Sequence, residues 1–271
     1  MPKPAATLIL SLQDSAICKD LLVFMLKRSH KSGFFANAHV FPGGALEDSD
    51  QILAQKLPVH LQQNAYTRLP GCTDAITALA FFIAAIRETA EESGYWLVIS
   101  KDGASPSDEL AKRLSSEQFE GKLFNQILED NNLIPYIQRI NPFSWWITPK
   151  AEKKRYDTRF FWAKAPLSQS PRINQEESSS GGWFTPKQMI HLFYEGQALL
   201  APPTLATLEE LQKPDFSFPA SCLSFPICPE AQMENDQLLL VLPGDPLYSQ
   251  SSTPVFSHRS RFTMNPEGRF F

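Results

Sequence analysis

One stretch limits what the rest of the chain can build: "DAITALAFFIAAIRETAEESG", Asp74 to Gly94. Thr73 or Asp74 is a good helix N-cap, and Gly94 is a natural left-handed residue after the last turn. A helix over this span turns by about 100° per residue. With Glu88 at zero, Glu92 falls near +40° and Glu91 near −60°, so the three carboxylates share an arc of about 100°. Arg87 lies beside Glu91, near −100°. Leu79, Phe82, Ile83, Ile86 and Ala90 occupy the opposite side. The helix is amphipathic and needs a sheet or core to cover its apolar stripe.

The acids allow two readings. Like charges three and four residues apart repel by a few tenths of a kcal/mol per pair, about the size of a helix pair term. A solvated face tolerates that. A hard cation such as Mg²⁺, which takes oxygen ligands, converts it into ligation.

Around this helix the periodicities predict a mixed fold. "ATLILSL" and "LLVFMLKR" read as strands joined by a polar turn around Asp14–Asp20. Pro42, Gly43 and Gly44 read as a turn. Residues 51–72 read as a polar insertion with room for one short helix. Within 101–140, helical patterns run over Ser107–Arg113 and Gln118–Asn131. "WWITP" and "YDTRFFWAKA" are strand-like. Thr185-Pro186 opens a helix after "GGWF", "TLATLEELQK" is another, and "QLLLVLPG" is a late strand. Many of the 22 prolines lie past residue 200, which predicts a C-terminal segment, about 214–271, wrapping in extended form. The expectation is a single α/β (α+β) domain with a mixed sheet between helices.

Charge narrows the function classes. A net charge of −4 leaves no footprint for nucleic acid. No run of about 18 apolar residues predicts a membrane helix. Cys18, Cys72, Cys222 and Cys228 form no CxxC pair and read as free thiols in a reducing compartment. The terminal "GRFF" is no address signal, so a cytoplasmic location is expected.

Arg87, Glu88, Glu91, Glu92 and Gly94, with "FPGG" upstream, resemble the Nudix box, G-x5-E-x7-R-E-U-x-E-E-x-G-U, where U is bulky and apolar. Gly44 matches its first glycine. Three positions depart from it. Asp50 stands for the first glutamate, Thr89 replaces a bulky apolar residue, and the seven-residue spacer is here Gln51 to Ile86. A surface insertion between loop and helix costs little loop entropy. The split box, with "AHVFPGGALEDSD", "WWITP…KRYDTRFF", "LAPPT" and "LPGDPLY", resembles the coenzyme A diphosphatase subfamily of mammalian peroxisomes.

That resemblance implies a Nudix α/β/α sandwich with helical insertions and a C-terminal extension. It implies Mg²⁺- or Mn²⁺-dependent cleavage of coenzyme A or acyl-coenzyme A to adenosine 3′,5′-bisphosphate and a 4′-phosphopantetheine product. The rivals are another small nucleotide substrate (NADH, ADP-ribose or a nucleotide sugar) and a non-catalytic regulator. Glu88 and Glu92 are the expected metal ligands, with Glu91 between ligand and base roles. Gly44 would add a carbonyl, and Glu177 is a further acid or else a solvated loop residue. Arg87 would orient the glutamates by pairing with Glu91, and Asp50 would stand behind the ligands. Arg28, Arg155 and His39 are candidates for substrate contacts, the last two also readable as structural. Trp145 and Trp146 suit stacking on adenine or a core, and Pro202 and Pro203 a pocket wall or a helix start. A homodimer is left open.

Overall fold

The computed structural model describes residues 1–14, 18–30, 35–176, 178–213, 225–250, 252–256 and 258–271. Strands β1 (Lys3–Asp14) and β2 (Cys18–Arg28) pair antiparallel only near their shared turn, at Ser11↔Val23, Leu12↔Leu22 and Asp14↔Cys18. Beyond that they part, and the chain from His39 to Ala45 fills the wedge. β3 (His39–Val40) pairs with β2. β4 (Gly43–Ala45) pairs with β1, Ala6 opposite Gly44 and Thr7 opposite Gly43. The expected Pro-Gly-Gly turn is therefore a short strand. A Cβ on Gly43 would stand 2.5 Å from the Ala6 carbonyl oxygen, so only glycine permits this pairing.

β8 (Tyr156–Lys164) runs parallel to β1, and β7 (Ile140–Ile147) closes that side antiparallel. β9 (Ser178–Phe184) pairs with β2 on the other. The result is a seven-stranded mixed sheet.

Alternation along β1 assigns the two faces. Ala6, Leu8 and Leu10 join one apolar cluster and Ile9 the other. The first cluster packs under α3 (Ala75–Ser93), with Phe82 4.7 Å from Phe161 of β8, ring centre to ring centre. The Asp74 carboxylate accepts from the Thr77 N–H at 2.8 Å, and Gly94 closes the helix at φ 73°. The second cluster packs under α6 (Pro186–Tyr194) and α7 (Pro202–Leu211). Thr185 caps α6 as expected, and Pro202 opens α7, the helix-start reading of the proline pair. Helices on both faces of a mixed sheet make the α/β/α sandwich.

The first insertion differs from expectation. It holds two helices, α1 (Asp48–Lys56) and α2 (Val59–Arg68), rather than one short one. Ala54, Leu57, Leu61, Ala65 and Leu69 bury against α3, so the stretch that reads as polar spends its scattered apolar residues on the core. The second insertion contains α4 (Asp108–Phe119) and α5 (Phe124–Asp130). The expected boundaries shift because Gly121, at φ +94°, ends the first of them late. Short strands β5 (Val98–Ser100) and β6 (Leu133–Pro135) tie the base of this insertion.

The C-terminal segment is more ordered than an extended wrap. β10 (Glu230–Glu234), β11 (Gln237–Val241) and β12 (Arg261–Thr263) form an antiparallel sheet. It is clamped to α7 by Arg259, whose Nε lies 2.7 Å from Glu209 Oε2. Among the described residues no helix is long and apolar enough to cross a membrane. Cys72 and Cys228 are free thiols; Cys222 lies outside the described residues.

Candidate active site

The acid face of α3 is not a wet face. Glu92 and Arg87 are buried, and β4 and α1 lie over them. Arg87 is the hub. Its Nε and Nη2 reach Asp50 Oδ1 and Oδ2 at 2.9 and 3.0 Å. Its Nη1 reaches Glu88 Oε1 and Glu91 Oε2, each at 2.9 Å, and Nη2 also donates to the Ala45 carbonyl at 2.9 Å. The expected Arg87–Glu91 pair is present, but as one of several. Asp50 is fully buried and also accepts from the Glu47 N–H at 2.9 Å. Burial pushes its carboxyl above the usual range, against the pull of Arg87. The guanidinium, surrounded by Asp50, Glu88 and Glu91, outweighs its own desolvation and titrates well above the usual arginine value.

The glycine pair meets the carboxylates directly. Glu92 Oε2 accepts from the Gly43 N–H at 2.9 Å. A Cβ on Gly44 would stand 2.4 Å from Glu88 Oε1 and 2.6 Å from Oε2. Gly44 therefore leaves the space in which Glu88 sits. Glu88 and Glu92, one turn apart, converge on the β4 backbone, while Glu91 points along Arg87 to Gln118, whose Nε2 donates to Glu91 Oε1 at 3.2 Å. An all-oxygen set of two carboxylates and a strand backbone suits a hard cation. Among the described residues no three of His, Cys, Asp and Glu stand together ready to hold one.

Thr89, in place of a bulky apolar residue, is fully buried and returns its hydroxyl to the Ala85 carbonyl at 2.7 Å. The helix continues undisturbed through that exchange. Residues 172–174 cover its end: the N–H groups of Arg172 and Asn174 donate to the carbonyls of Ser93 and Glu92, at 2.7 and 3.2 Å.

Other candidates lie elsewhere. His39 stands edge-on to Phe184, on the face of α6 and α7 and away from α3. Burial and nearby Lys27 lower its pKa, and its Nδ1 is buried without a partner. Arg155 braces the β7–β8 turn, Nε to the Thr148 carbonyl at 3.0 Å, and no described contact joins it to the Arg87 hub. Arg28 ends β2 opposite Ser178, with a buried, unpartnered Nε. Trp146 is core, stacked on Phe256, and Trp145 lies under the Arg159 guanidinium at 3.5 Å. Neither is presented to the acid face. Glu177 lies outside the described residues.

A groove of about 920 Å³ opens beside Glu91, walled by the second insertion and residues 172–176. Gln118, Asn125 and Arg172 line it, and nothing in the sequence singles them out. They come from separate elements and belong to no spaced motif, so only the folded chain unites them.

A mixed sheet between helical layers, with a glycine strand held against an Arg-Glu-x-x-Glu-Glu helix, is the arrangement of a Nudix hydrolase, a diphosphatase enzyme. A family model described as NUDT19 Nudix domain matches residues 3–211, and the chain belongs to that family. It is 28% identical over 277 residues to the acyl-coenzyme A diphosphatase NUDT19 of Xenopus laevis, covering 85% of this chain and 72% of that one. The Homo sapiens protein of that name is 26% identical over 282 residues, covering 85% and 73%. A NUDIX hydrolase from Alicyclobacillus acidocaldarius superposes with a TM-score of 0.65 at 25% identity, covering 78% of this chain and 91% of its own.

Proposed function

We propose that the chain is a divalent-cation-dependent hydrolase of coenzyme A and its acyl thioesters. Its products would be adenosine 3′,5′-bisphosphate and a 4′-phosphopantetheine. The observation that carries the reading is the convergence of Glu88 and Glu92 on Gly43 and Gly44. The likeness to relatives named acyl-coenzyme A diphosphatase supports the choice of substrate class.

Glu88 and Glu92 would hold Mg²⁺ or Mn²⁺, with the Gly44 carbonyl and Glu91 as further donors. Such a cation supplies charge neutralisation to a diphosphate and lowers the pKa of a bound water. The protein's own part is positioning. Arg87, locked by buried Asp50, fixes the rotamers of Glu88 and Glu91, so their geometry is set before substrate arrives. Glu92 fixes β4 through the Gly43 N–H. Glu91, partly exposed at the groove's edge, is the group placed to take up the proton of the attacking water.

A panel of coenzyme A, acetyl- and long-chain acyl-coenzyme A, NADH, ADP-ribose and a nucleotide sugar, each with Mg²⁺ or Mn²⁺, tests this. Coenzyme A forms are expected to lead. Turnover of another dinucleotide with no cleavage of any coenzyme A form overturns the substrate assignment.

A further inference from the structure

The groove beside Glu91 holds two side-chain oxygens that are buried and have no hydrogen-bond partner, Gln118 Oε1 and Asn125 Oδ1. Neither amide can turn over to relieve this. Gln118 Nε2 donates to Glu91 Oε1, and Asn125 Nδ2 donates to the Ser49 carbonyl at 2.8 Å. A flip would set oxygen against oxygen. A buried acceptor left unmet costs about 1–3 kcal/mol. Two in one groove mark a place where a ligand brings N–H or O–H donors.

The ligand's shape follows from where these oxygens sit. One is on α4 and the other on α5, so a ligand with donors at two points along its length can meet both. Part of the rim is apolar: Phe119 and Leu123, large side chains exposed to solvent, stand at the groove. The two oxygens belong to neutral amides rather than carboxylates, and the wall mixes Lys122 and Arg172 with Glu47, Glu91 and Glu176, so a neutral donor suits them better than a cation.

We propose that this groove binds a linear chain bearing secondary amides, the pantetheine arm of the substrate. Its amide N–H groups donate to Gln118 Oε1 and Asn125 Oδ1, and its distal end runs along Phe119 and Leu123. The arm leaves the diphosphate past Glu91, and the second insertion becomes the specificity element. This rests on the coenzyme A reading.

The test compares coenzyme A with an armless probe, the methyl diphosphate ester of adenosine 3′-phosphate, in wild type, Asn125→Leu and Gln118→Met. The ratio of kcat/KM for coenzyme A to that for the probe is expected to fall about tenfold in each variant, the size of one net hydrogen bond. The fall should lie in KM for coenzyme A. An unchanged ratio, including an equal loss on both substrates, overturns the proposal. Calorimetry with pantetheine alone, on wild type and on Asn125→Leu checked by melting temperature, decides the groove separately from catalysis. Binding weakened about tenfold in the variant supports it; no binding to wild type overturns it. If wild type binds pantetheine but cleaves no coenzyme A, the hydrolase reading fails and the groove stands.

Discussion

Arg87 and Asp50 are 37 residues apart in sequence and form a two-point pair, Nε to Oδ1 at 2.9 Å and Nη2 to Oδ2 at 3.0 Å. Asp50 stands where the family's box has a glutamate, before the insertion, and Arg87 stands after it. The box is split along the chain and closed in space. The first turn of α1 carries Asp50 itself, and the rest of α1 and α2 leave and return without opening the pair.

This pair predicts the effect of breaking it. Asp50→Asn keeps the shape and removes the charge facing a buried guanidinium. A one-sided break that strands a buried charge costs about 3–5 kcal/mol; Glu88 and Glu91 still face Arg87, so the loss here should lie between about 1 and 3 kcal/mol. Urea unfolding should show that loss, and activity should fall because Glu88 and Glu91 lose their fixed partner. Loss below about 1 kcal/mol would show that Arg87 finds other compensation.

Gly43 and Gly44 should separate stability from activity. A Cβ at Gly43 meets backbone, with the Ala6 oxygen at 2.5 Å and Thr7 Cα at 2.7 Å. A Cβ at Gly44 meets the movable end of Glu88. Gly43→Ala should therefore lower the melting temperature more than Gly44→Ala does. Gly44→Ala should displace Glu88 and lower kcat by about 10²-fold or more, as when a group stabilising the transition state is lost. Paired thermal melts and initial rates would check both.

The clamp on the C-terminal sheet should respond to acid. Burial pushes the Glu209 carboxyl up, but Arg259 and His258 outweigh it and hold it below the usual range. A depressed folded-state pKa stabilises above the unfolded value and is lost as pH falls through the folded one. Stability should thus drop as pH falls through about 4.3, where unfolded glutamate is half protonated, towards the lower folded-state value. Glu209→Gln should be less stable at neutral pH and lose less on acidification. Melting temperatures from pH 7 to pH 3 measure the difference.

The long helix was legible because its caps and its opposed faces are local properties of about twenty residues. Strands β1, β2 and β8 were legible by their β-branched and aromatic runs. β3 and β4 were not, because a Pro-Gly-Gly sequence pairs as a strand only where β1 and β2 part. α1 and α2 were blurred because Leu57, Leu61 and Leu69 read as stray apolar residues until α3 is there to cover them. At the site, the glutamates and Arg87 follow from helical spacing. The burial of Asp50 and the unpaired oxygens of Gln118 and Asn125 depend on elements distant in sequence.

The most direct test is coenzyme A hydrolysis with Mg²⁺ by wild type and Glu92→Gln, with products identified by mass. Glutamine can still accept from the Gly43 N–H, so the fold should hold and the carboxylate charge alone is removed. Wild type should release adenosine 3′,5′-bisphosphate, and the variant should be slower by about 10²–10³-fold, the loss expected when one charge-stabilising group is removed. Equal rates in the two proteins, or no bisphosphate from wild type, would contradict the account.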